Sequence, residues 1–208
     1  MPIEIAPFLV GPVETNSYVV CSGGACWVID PGMAPAALVD FLRRERIVPC
    51  GVLLTHGHCD HIGGAGEVKE AFPGAAVCCP AGDADMLGDA VRNLSAPFGL
   101  SVSCPPADVL IEAGQELTLG GTRWQVLDTA GHTPGGVSFY CPGEAVVFTG
   151  DALFAGSIGR TDIPGADGAQ LVRNIRQHLL TLPVQTKVYP GHGPPTTVGE
   201  ERQLNPFL

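Results

Sequence analysis

The sequence has few charged residues, no long apolar segment and no concentration of positive charge. Only 15% of its 208 residues are charged while 45% are hydrophobic, which is the composition of a folded globular protein rather than a disordered one. No window approaches the roughly 18 consecutive apolar residues of a membrane span. The 11 Lys and Arg residues form no run beyond Arg43-Arg44-Glu45-Arg46, and the formal charge is −10. We therefore expect neither a nucleic acid nor a membrane as partner.

Paired-cysteine motifs are also missing, although the chain contains eight Cys residues. None of them falls in a Cys-x-x-Cys pair, so a zinc ribbon is not expected. The first residues include neither a basic segment nor an apolar one, which predicts that there is no secretory signal. We expect a cytoplasmic protein whose Cys residues are mostly reduced and serve as small buried apolar side chains.

Turn-forming residues are abundant, with 28 Gly and 19 Pro, and they separate short segments of strand or helix character. Strands are predicted at 3–9, 17–21, 26–29, 51–55, 75–79, 108–112, 115–119, 122–128, 136–141, 145–149 and 187–189. Helices or helical turns are predicted at 35–46, 65–72, 83–88 and 168–181, and a last helix should open at the capping box Thr197-Val198-Gly199-Glu200. No linker divides residues 1–208, so we expect a single domain in which two sheets pack face to face with helices outside. Residues 89–107 are predicted to form a long loop of the kind that often flanks a site.

One short segment concentrates metal-binding side chains. Thr55-His56-Gly57-His58-Cys59-Asp60-His61 places three imidazoles and one carboxylate directly after a predicted strand. These groups bind borderline divalent metals. Cys59 would favour a softer metal, but its His and Asp neighbours already supply enough donors, so we interpret Cys59 as a spacer.

Three further candidate ligands occur in one recurring context. His132, Asp151 and His192 each follow a predicted strand and each lie beside Gly. Because the ends of several strands can converge on one edge of a sheet pair, we expect these side chains to meet the first motif there. His178 is the sixth His of the chain, and its place in the middle of a predicted helix indicates a structural or exposed side chain.

The candidate donors number seven, which exceeds the four that one tetrahedral zinc takes and suits two ions about 3.5–4 Å apart. The first ion is assigned to His56, His58 and His132, the second to Asp60, His61 and His192, and Asp151 is shared. A hydroxide bound to such a pair would attack a carbonyl group, with Asp60 orienting the nucleophile and relaying its proton. Asp60 and Asp151 are accordingly the expected catalytic residues, and the net positive charge of the centre favours an anionic substrate.

The pattern His56-x-His58-x-Asp60-His61, followed by His132, Asp151 and His192, resembles that of the metallo-β-lactamase fold superfamily over essentially the whole chain. The resemblance implies an α+β fold, an αββα sandwich of two mixed β-sheets flanked by helices, with the site at one edge of the sheets. The β-lactamase branches usually have Cys where this chain has Asp151, and they are exported. The pattern therefore does not favour hydrolysis of β-lactams.

Segment 150–162 is similar to the glyoxalase II-like hydrolases, and segment 191–200 with Asn205-Pro206-Phe207 resembles their short, single-domain members. The resemblance implies hydrolysis of a thioester, such as a hydroxyacylglutathione, with two divalent metal ions, which would be zinc or alternatively iron or manganese. Arg160 is expected to bind a substrate carboxylate with Asp162 fixing it, and a plain ion pair between the two is the alternative. Asp30 either orients a ligand His or caps a turn.

Two other activities fit the same residues. The persulfide dioxygenases resemble this chain and share most of these His and Asp positions, but they use one Fe(II) held by two His and one carboxylate. Lactone hydrolysis at the same dinuclear centre is the other alternative. The sequence leaves the acyl group, the oligomeric state and the metal open, and the metal content would separate hydrolysis from oxygenation.

Overall fold

The structure, a computed structural model, describes residues 2–208 and contains two six-stranded sheets and a short ribbon. The strands of the first sheet, in hydrogen-bonded order, are β1 Glu4–Val10, β2 Thr15–Ser22, β3 Ala25–Ile29, β4 Gly51–Leu53, β5 Ala76–Pro80 and β6 Val109–Ile111. The remaining strands are β7 Glu116–Leu119, β8 Thr122–Asp128, β9 Val137–Cys141, β10 Val146–Gly150, β11 Leu153–Phe154, β12 Ser157–Ile158, β13 Lys187–Pro190 and β14 Thr196–Thr197. The second sheet has the order β14-β13-β10-β9-β8-β7, while β11 and β12 form the ribbon.

Helices cover the outer face of each sheet. They are α1 Ala36–Arg44, α2 Cys59–Ile62, α3 Ala65–Ala71, α4 Gly168–Asn174 and α5 Val198–Leu204. A π-helical turn, Ile175–Leu179, continues α4, and short 3-10 turns lie at Ala81–Met86 and Ala96–Phe98. Among residues 2–208, no helix combines the length and apolar character needed to cross a membrane.

Three apolar clusters separate the four layers, because neighbouring strand residues point to opposite faces of a sheet. On β2, Tyr18 and Val20 face the second sheet, whereas Val19 faces the helices. The cluster between the sheets contains Trp27 and Trp124, whose ring centroids are 5.6 Å apart. The αββα sandwich expected from the sequence is confirmed.

Most elements lie within two or three residues of their predicted positions. The capping box is present, since the Thr197 hydroxyl accepts from the Glu200 N–H and the Glu200 carboxylate accepts from the Thr197 N–H. Three two-residue strands, β11, β12 and β14, were not predicted because so short a strand shows no visible alternation. Residues 89–107 are a loop containing one 3-10 turn.

The expectation of reduced Cys residues is wrong for one pair. Cys21 and Cys26 form a disulfide across the β2–β3 hairpin, where they are direct register partners with Cα atoms 4.1 Å apart. The turn between them contains Gly23 and Gly24, both at positive φ, which a side chain would disfavour. The other six Cys residues are free, and of these only Cys50 is exposed.

Several strands of each sheet run in the same direction and end at one edge of the sandwich. In the first sheet, β3, β4 and β5 are parallel. In the second, β8 and β10 are both antiparallel to β9, and β10 is parallel to β13, so these three run in one direction. The two edges are joined directly, because the Val137 N–H donates to the Thr55 carbonyl at 2.9 Å and the Asn16 N–H donates to the Gly191 carbonyl at 2.7 Å.

Oxidised protein should be only modestly more stable than protein treated with reductant. The Cys21–Cys26 bridge spans five positions of sequence, and the chain-entropy gain for so short a loop is about 2 kcal/mol. Urea unfolding with and without reductant measures this difference, and the Cys21→Ala/Cys26→Ala double variant should lose the dependence on reductant. Cys50→Ala, which removes an exposed free thiol, is the matched control. Equal stabilities in both conditions would contradict the expectation.

Candidate metal centre

All of the predicted ligands follow strands that end at the shared edge. The His56–His61 motif follows β4, His132 follows β8, Asp151 follows β10 and His192 follows β13. The structure brings all seven donors together there. A Cβ added to Gly191 would contact Asp151 and His61, so glycine lets this loop approach the other ligands closely.

The first cluster consists of His56, His58 and His132, each offering one ring nitrogen within 4.8 Å of the others. His58 Nδ1 lies 2.9 Å from His132 Nε2. The opposite nitrogen of His132, Nδ1, lies 2.8 Å from the Arg160 carbonyl oxygen and donates to it. That hydrogen bond leaves the Nε2 lone pair of His132 directed into the cluster.

The second cluster consists of Asp60, His61 and His192, again within 4.8 Å. His192 Nε2 lies 3.1 Å and His61 Nε2 lies 3.5 Å from Asp60 Oδ2. Behind the cluster, Asp30 Oδ2 accepts from His61 Nδ1 at 2.9 Å, which aims Nε2 at the site. Asp30 also accepts from the Thr55 N–H and hydroxyl, so its role in orienting a ligand His has a structural basis.

Asp151 faces both clusters. Its Oδ1 lies 3.2 Å from His61 Nε2, and its Oδ2 lies 3.6 Å from His132 Nε2 and 3.7 Å from His192 Nε2. Two carboxylate oxygens directed at different imidazoles are the arrangement that a ligand shared between two ions requires.

The donor set fits divalent metal ions. His56 Nε2 is buried and makes no hydrogen bond within the described residues, while His61 Nε2 and Asp151 Oδ1, also buried, lie 3.2 Å apart without hydrogen-bond geometry. Leaving an imidazole nitrogen unpaired in the interior costs about 1–3 kcal/mol, and a bound cation would satisfy it. The same donors, imidazole and carboxylate, are typical of zinc and iron sites.

Burial keeps two members of the first cluster, His56 and His58, unprotonated. It holds the pKa of His56 well below its ordinary value, and repulsion from His61 and His58 lowers it further. Burial, followed by the neighbouring His132, lowers the pKa of His58 to about 3. At neutral pH these rings therefore have free lone pairs and need lose no proton before binding a metal.

The second cluster behaves in the opposite way. Burial alone would lower the pKa of His61, but the carboxylates of Asp151, Asp60 and Asp30 outweigh it and raise that pKa well above the ordinary value. For His192 burial also lowers the pKa, but the hydrogen bond to Asp60 and the charges of Asp151 and Asp60 together outweigh it, so its pKa is raised. Without a metal, protons on these rings offset the charge of the carboxylates.

Asp83 is a buried residue at the site that sequence reasoning missed. Its Oδ2 accepts from the Gly57 N–H at 2.9 Å and the Thr133 hydroxyl at 2.7 Å, and its Oδ1 accepts from the Gly135 N–H at 2.6 Å. One carboxylate thus holds the loop containing His56 and His58 against the loop containing His132. Its position three residues after β5 was the only local signal, and it was weaker than that of Asp30, which follows β3 directly.

The loop containing His192 is held by β2. Asn16 Nδ2 donates to the carbonyls of Pro190 and Gly193 at 3.0 and 2.8 Å, and the Tyr18 hydroxyl donates to Pro190 at 2.7 Å. Neither residue was singled out in the sequence, where Asn16 and Tyr18 are ordinary strand residues. Their role depends on contacts across about 170 positions of sequence, which no local pattern reveals.

The metal centre forms the floor of an open cleft of about 580 Å³. Arg160 lies at its rim, where Nε and Nη2 donate to the two carboxylate oxygens of Asp162 at 2.9 and 3.0 Å. Both side chains are more than 70% exposed, and the hydrogen bond to Arg160 lowers the pKa of Asp162. The predicted pairing is present, on the cleft where the sequence placed Arg160.

Comparison with known proteins identifies the family. A model of the metallo-beta-lactamase superfamily matches residues 10–192. The chain belongs to the metallo-β-lactamase superfamily. The probable metallo-hydrolase YqgX of Bacillus subtilis is 40% identical over 96% of this chain and 94% of its own length. The hydroxyacylglutathione hydrolase GloC of Haemophilus influenzae is 36% identical over 87% of this chain and 86% of its own.

Two solved structures agree with this assignment. BLEG-1, a B3 metallo-β-lactamase, is 40% identical, with a TM-score of 0.94 and 99% of both chains covered. TTHA1623, solved in a di-iron-bound form, is also 40% identical, with a TM-score of 0.88 covering 98% of this chain and 100% of that one. The fold of this family is therefore shared along the whole length of the chain.

Replacing Asp83 by Asn should weaken the contact between the loop of His56 and His58 and the loop of His132. The amide would direct N–H groups at donors that now meet carboxylate oxygens, at a cost of about 3 kcal/mol in the free energy of unfolding. We also expect weaker binding of the ion at the first cluster, measured by metal analysis after dialysis against a weak chelator. Asp85→Asn, on the same 3-10 turn but with an 84% exposed side chain, should change neither quantity. Equal stability and metal content in the two variants would remove Asp83 from this role.

Metal loading should release more protons at the second cluster than at the first. Because the pKa of His61 is raised well above 6.5 in the metal-free protein, this ring holds a proton at pH 7 that a metal must displace. His56 and His58, whose pKa values are lowered, hold none. Calorimetric titration of metal-free protein at pH 7 in buffers of different ionisation enthalpy should show more protons released for one ion than for the other. Heats that do not depend on the buffer would contradict this difference between the clusters.

Proposed function

We propose that this protein is a metallo-hydrolase that cleaves thioesters, with the hydroxyacylglutathiones as the substrate class. The observation that supports this most directly is Asp151, whose carboxylate lies between the two donor clusters on the floor of an open cleft. The names of two relatives, a probable metallo-hydrolase and a hydroxyacylglutathione hydrolase, point in the same direction. Zinc is the metal we propose first, with iron as the alternative because a 40% identical structure is in a di-iron form.

Two divalent ions bound by these donors would supply a water molecule of lowered pKa and a positive charge for the developing oxyanion. Asp60 is the residue placed to hold the attacking water. Its Oδ2 accepts from the Thr15 hydroxyl at 3.3 Å and lies 3.1 Å from His192 Nε2, so its position is fixed. Despite burial, His61 and His192 keep the pKa of Asp60 below its usual range. Asp60 is thus ionised at neutral pH, and Oδ1, which makes no hydrogen bond within residues 2–208, can accept the proton of that water.

A thioester suits this site because its leaving group needs no proton. Apart from the candidate metal ligands and the buried Cys59, Arg160 is the only ionisable side chain among the described residues that line the cleft, and it stays protonated. An amine or alkoxide would need a general acid, whereas a thiolate departs as an anion near neutral pH. The Arg160 guanidinium is the proposed contact for a substrate carboxylate, which would have to replace or share Asp162.

Hydrolysis of β-lactams is a second candidate, because the structure of BLEG-1, a B3 metallo-β-lactamase, matches 99% of this chain. This reaction also cleaves an acyl bond by attack of water, but its leaving nitrogen must be protonated. Apart from Asp60, which would hold the proton of the attacking water, the described lining residues include no acid that could protonate that nitrogen, so we rank this candidate below the thioester.

The metal-loaded protein should hydrolyse S-lactoylglutathione, seen as a loss of thioester absorbance. Parallel assays would follow a chromogenic cephalosporin, a lactone, and oxygen uptake with glutathione persulfide, each on protein of measured metal content. Asp151→Ala should reduce the rate at least about 10³-fold, since it removes a carboxylate that two bound ions would share. Asp85→Ala, an exposed carboxylate on another turn, should retain full rate. Oxygen uptake by protein with one iron and no thioester turnover would overturn the proposal, as would an Asp151→Ala variant of unchanged rate.

A further inference from the structure

The wall above the metal centre is apolar and open to solvent. Val13 from the β1–β2 turn is 51% exposed, and Phe98 and Leu100 from loop 89–107 are 74% and 46% exposed. All three line the cleft whose floor contains the candidate ligands. Large apolar side chains gathered around a cleft are unfavourable in water and indicate a surface that is covered when a ligand binds.

The part of loop 89–107 that contains Phe98 and Leu100 is held beside the metal centre by hydrogen bonds. The Cys59 N–H donates to the Asn93 carbonyl at 2.9 Å, which ties the loop to the metal motif itself. Asn93 is fully buried, and its Nδ2 donates to the Val102 carbonyl at 2.9 Å. The Val102 N–H in turn donates to the Ser95 hydroxyl at 3.1 Å, which closes the loop behind Phe98.

The charges around the cleft decide which half of a thioester this wall fits. Apart from the candidate His ligands, Arg160 is the only basic side chain among the described lining residues, and it lies at the rim beside Asp162. The glutathione half of a thioester has two carboxylates and an ammonium group, which gain nothing from contact with Val13, Phe98 or Leu100. Such a polar half fits the rim and the solvent beyond it. The acyl half is left to contact the apolar wall.

We propose that the acyl group of the substrate is an apolar chain that packs on Val13, Phe98 and Leu100. This inference rests on the thioesterase function proposed above, and among glutathione thioesters it favours hydrocarbon acyl groups over short hydroxyacyl groups. Each methylene that leaves water for such a wall should raise kcat/KM about threefold to fourfold.

The test is a series of glutathione thioesters with S-lactoyl, S-butanoyl and S-hexanoyl groups. We expect kcat/KM for the hexanoyl ester to exceed that for the lactoyl ester at least about tenfold. Phe98→Ala should reduce this ratio about fivefold, and Leu100→Ala, a second variant in case the first does not fold, should reduce it similarly. Phe207→Ala is the matched control, because Phe207 is 54% exposed but does not line the cleft. A ratio near one, or a ratio that Phe98→Ala leaves unaltered, would overturn the inference.

A binding experiment with two S-alkylglutathiones distinguishes failure of this inference from failure of the proposed function. If the metal-loaded protein hydrolyses no thioester, the function fails, but calorimetry with S-hexylglutathione and S-methylglutathione still tests the wall. Tighter binding of the hexyl compound by about tenfold, lost in Phe98→Ala, would support the apolar site. Equal affinities, or no binding of either compound, would refute it.

Discussion

The carboxylate of Asp30 joins the first sheet to the metal centre, and much of the site depends on its three hydrogen bonds. It accepts from the Thr55 N–H at 2.8 Å, from the Thr55 hydroxyl at 2.6 Å and from His61 Nδ1 at 2.9 Å. The same hydroxyl lies 3.1 Å from His56 Nδ1, so one anion fixes the orientation of a ligand in each cluster. Asp30 has a positive φ of 47°, an uncommon conformation for a residue with a side chain, and these three contacts hold it there.

The chemical identity of the site was accessible from the sequence because its ligands are rare residue types at strand ends. Gly-rich turns after apolar strands placed His132, Asp151 and His192 on loops, and the directions of β8, β10 and β13 bring those loops to one edge. Asp83 was not accessible in this way, since a buried Asp and a turn-capping Asp look alike in sequence. What separates them is the pair of partners at Thr133 and Gly135, about 50 positions away.

The disulfide shows a different limit of prediction from the sequence. Cys21 and Cys26 were expected to be reduced because the composition and the first residues of the chain predicted a cytoplasmic protein. Their pairing instead follows from the register of the hairpin. The hairpin was predicted correctly, with its turn at Gly23-Gly24, and two Cys residues that flank such a turn symmetrically become direct neighbours. Local geometry was therefore the stronger guide, because register brings the two Cα atoms to 4.1 Å whatever surrounds the molecule.

The metal centre on the floor of the cleft and the apolar wall of Val13, Phe98 and Leu100 come from different parts of the fold. The residues that would carry the chemistry are therefore separate from those that would select the substrate. The floor is built from the ends of strands in two packed sheets, which hold titratable groups rigidly enough for burial and charge to set their pKa values. The wall comes from connecting segments, whose exposed side chains contribute little to the core. Cys59 is where the two meet, because its backbone N–H binds loop 89–107 at Asn93 while its neighbours Asp60 and His61 belong to the second cluster. A residue that looked like a spacer between ligands thus sets the position of the wall relative to the metal centre through its backbone.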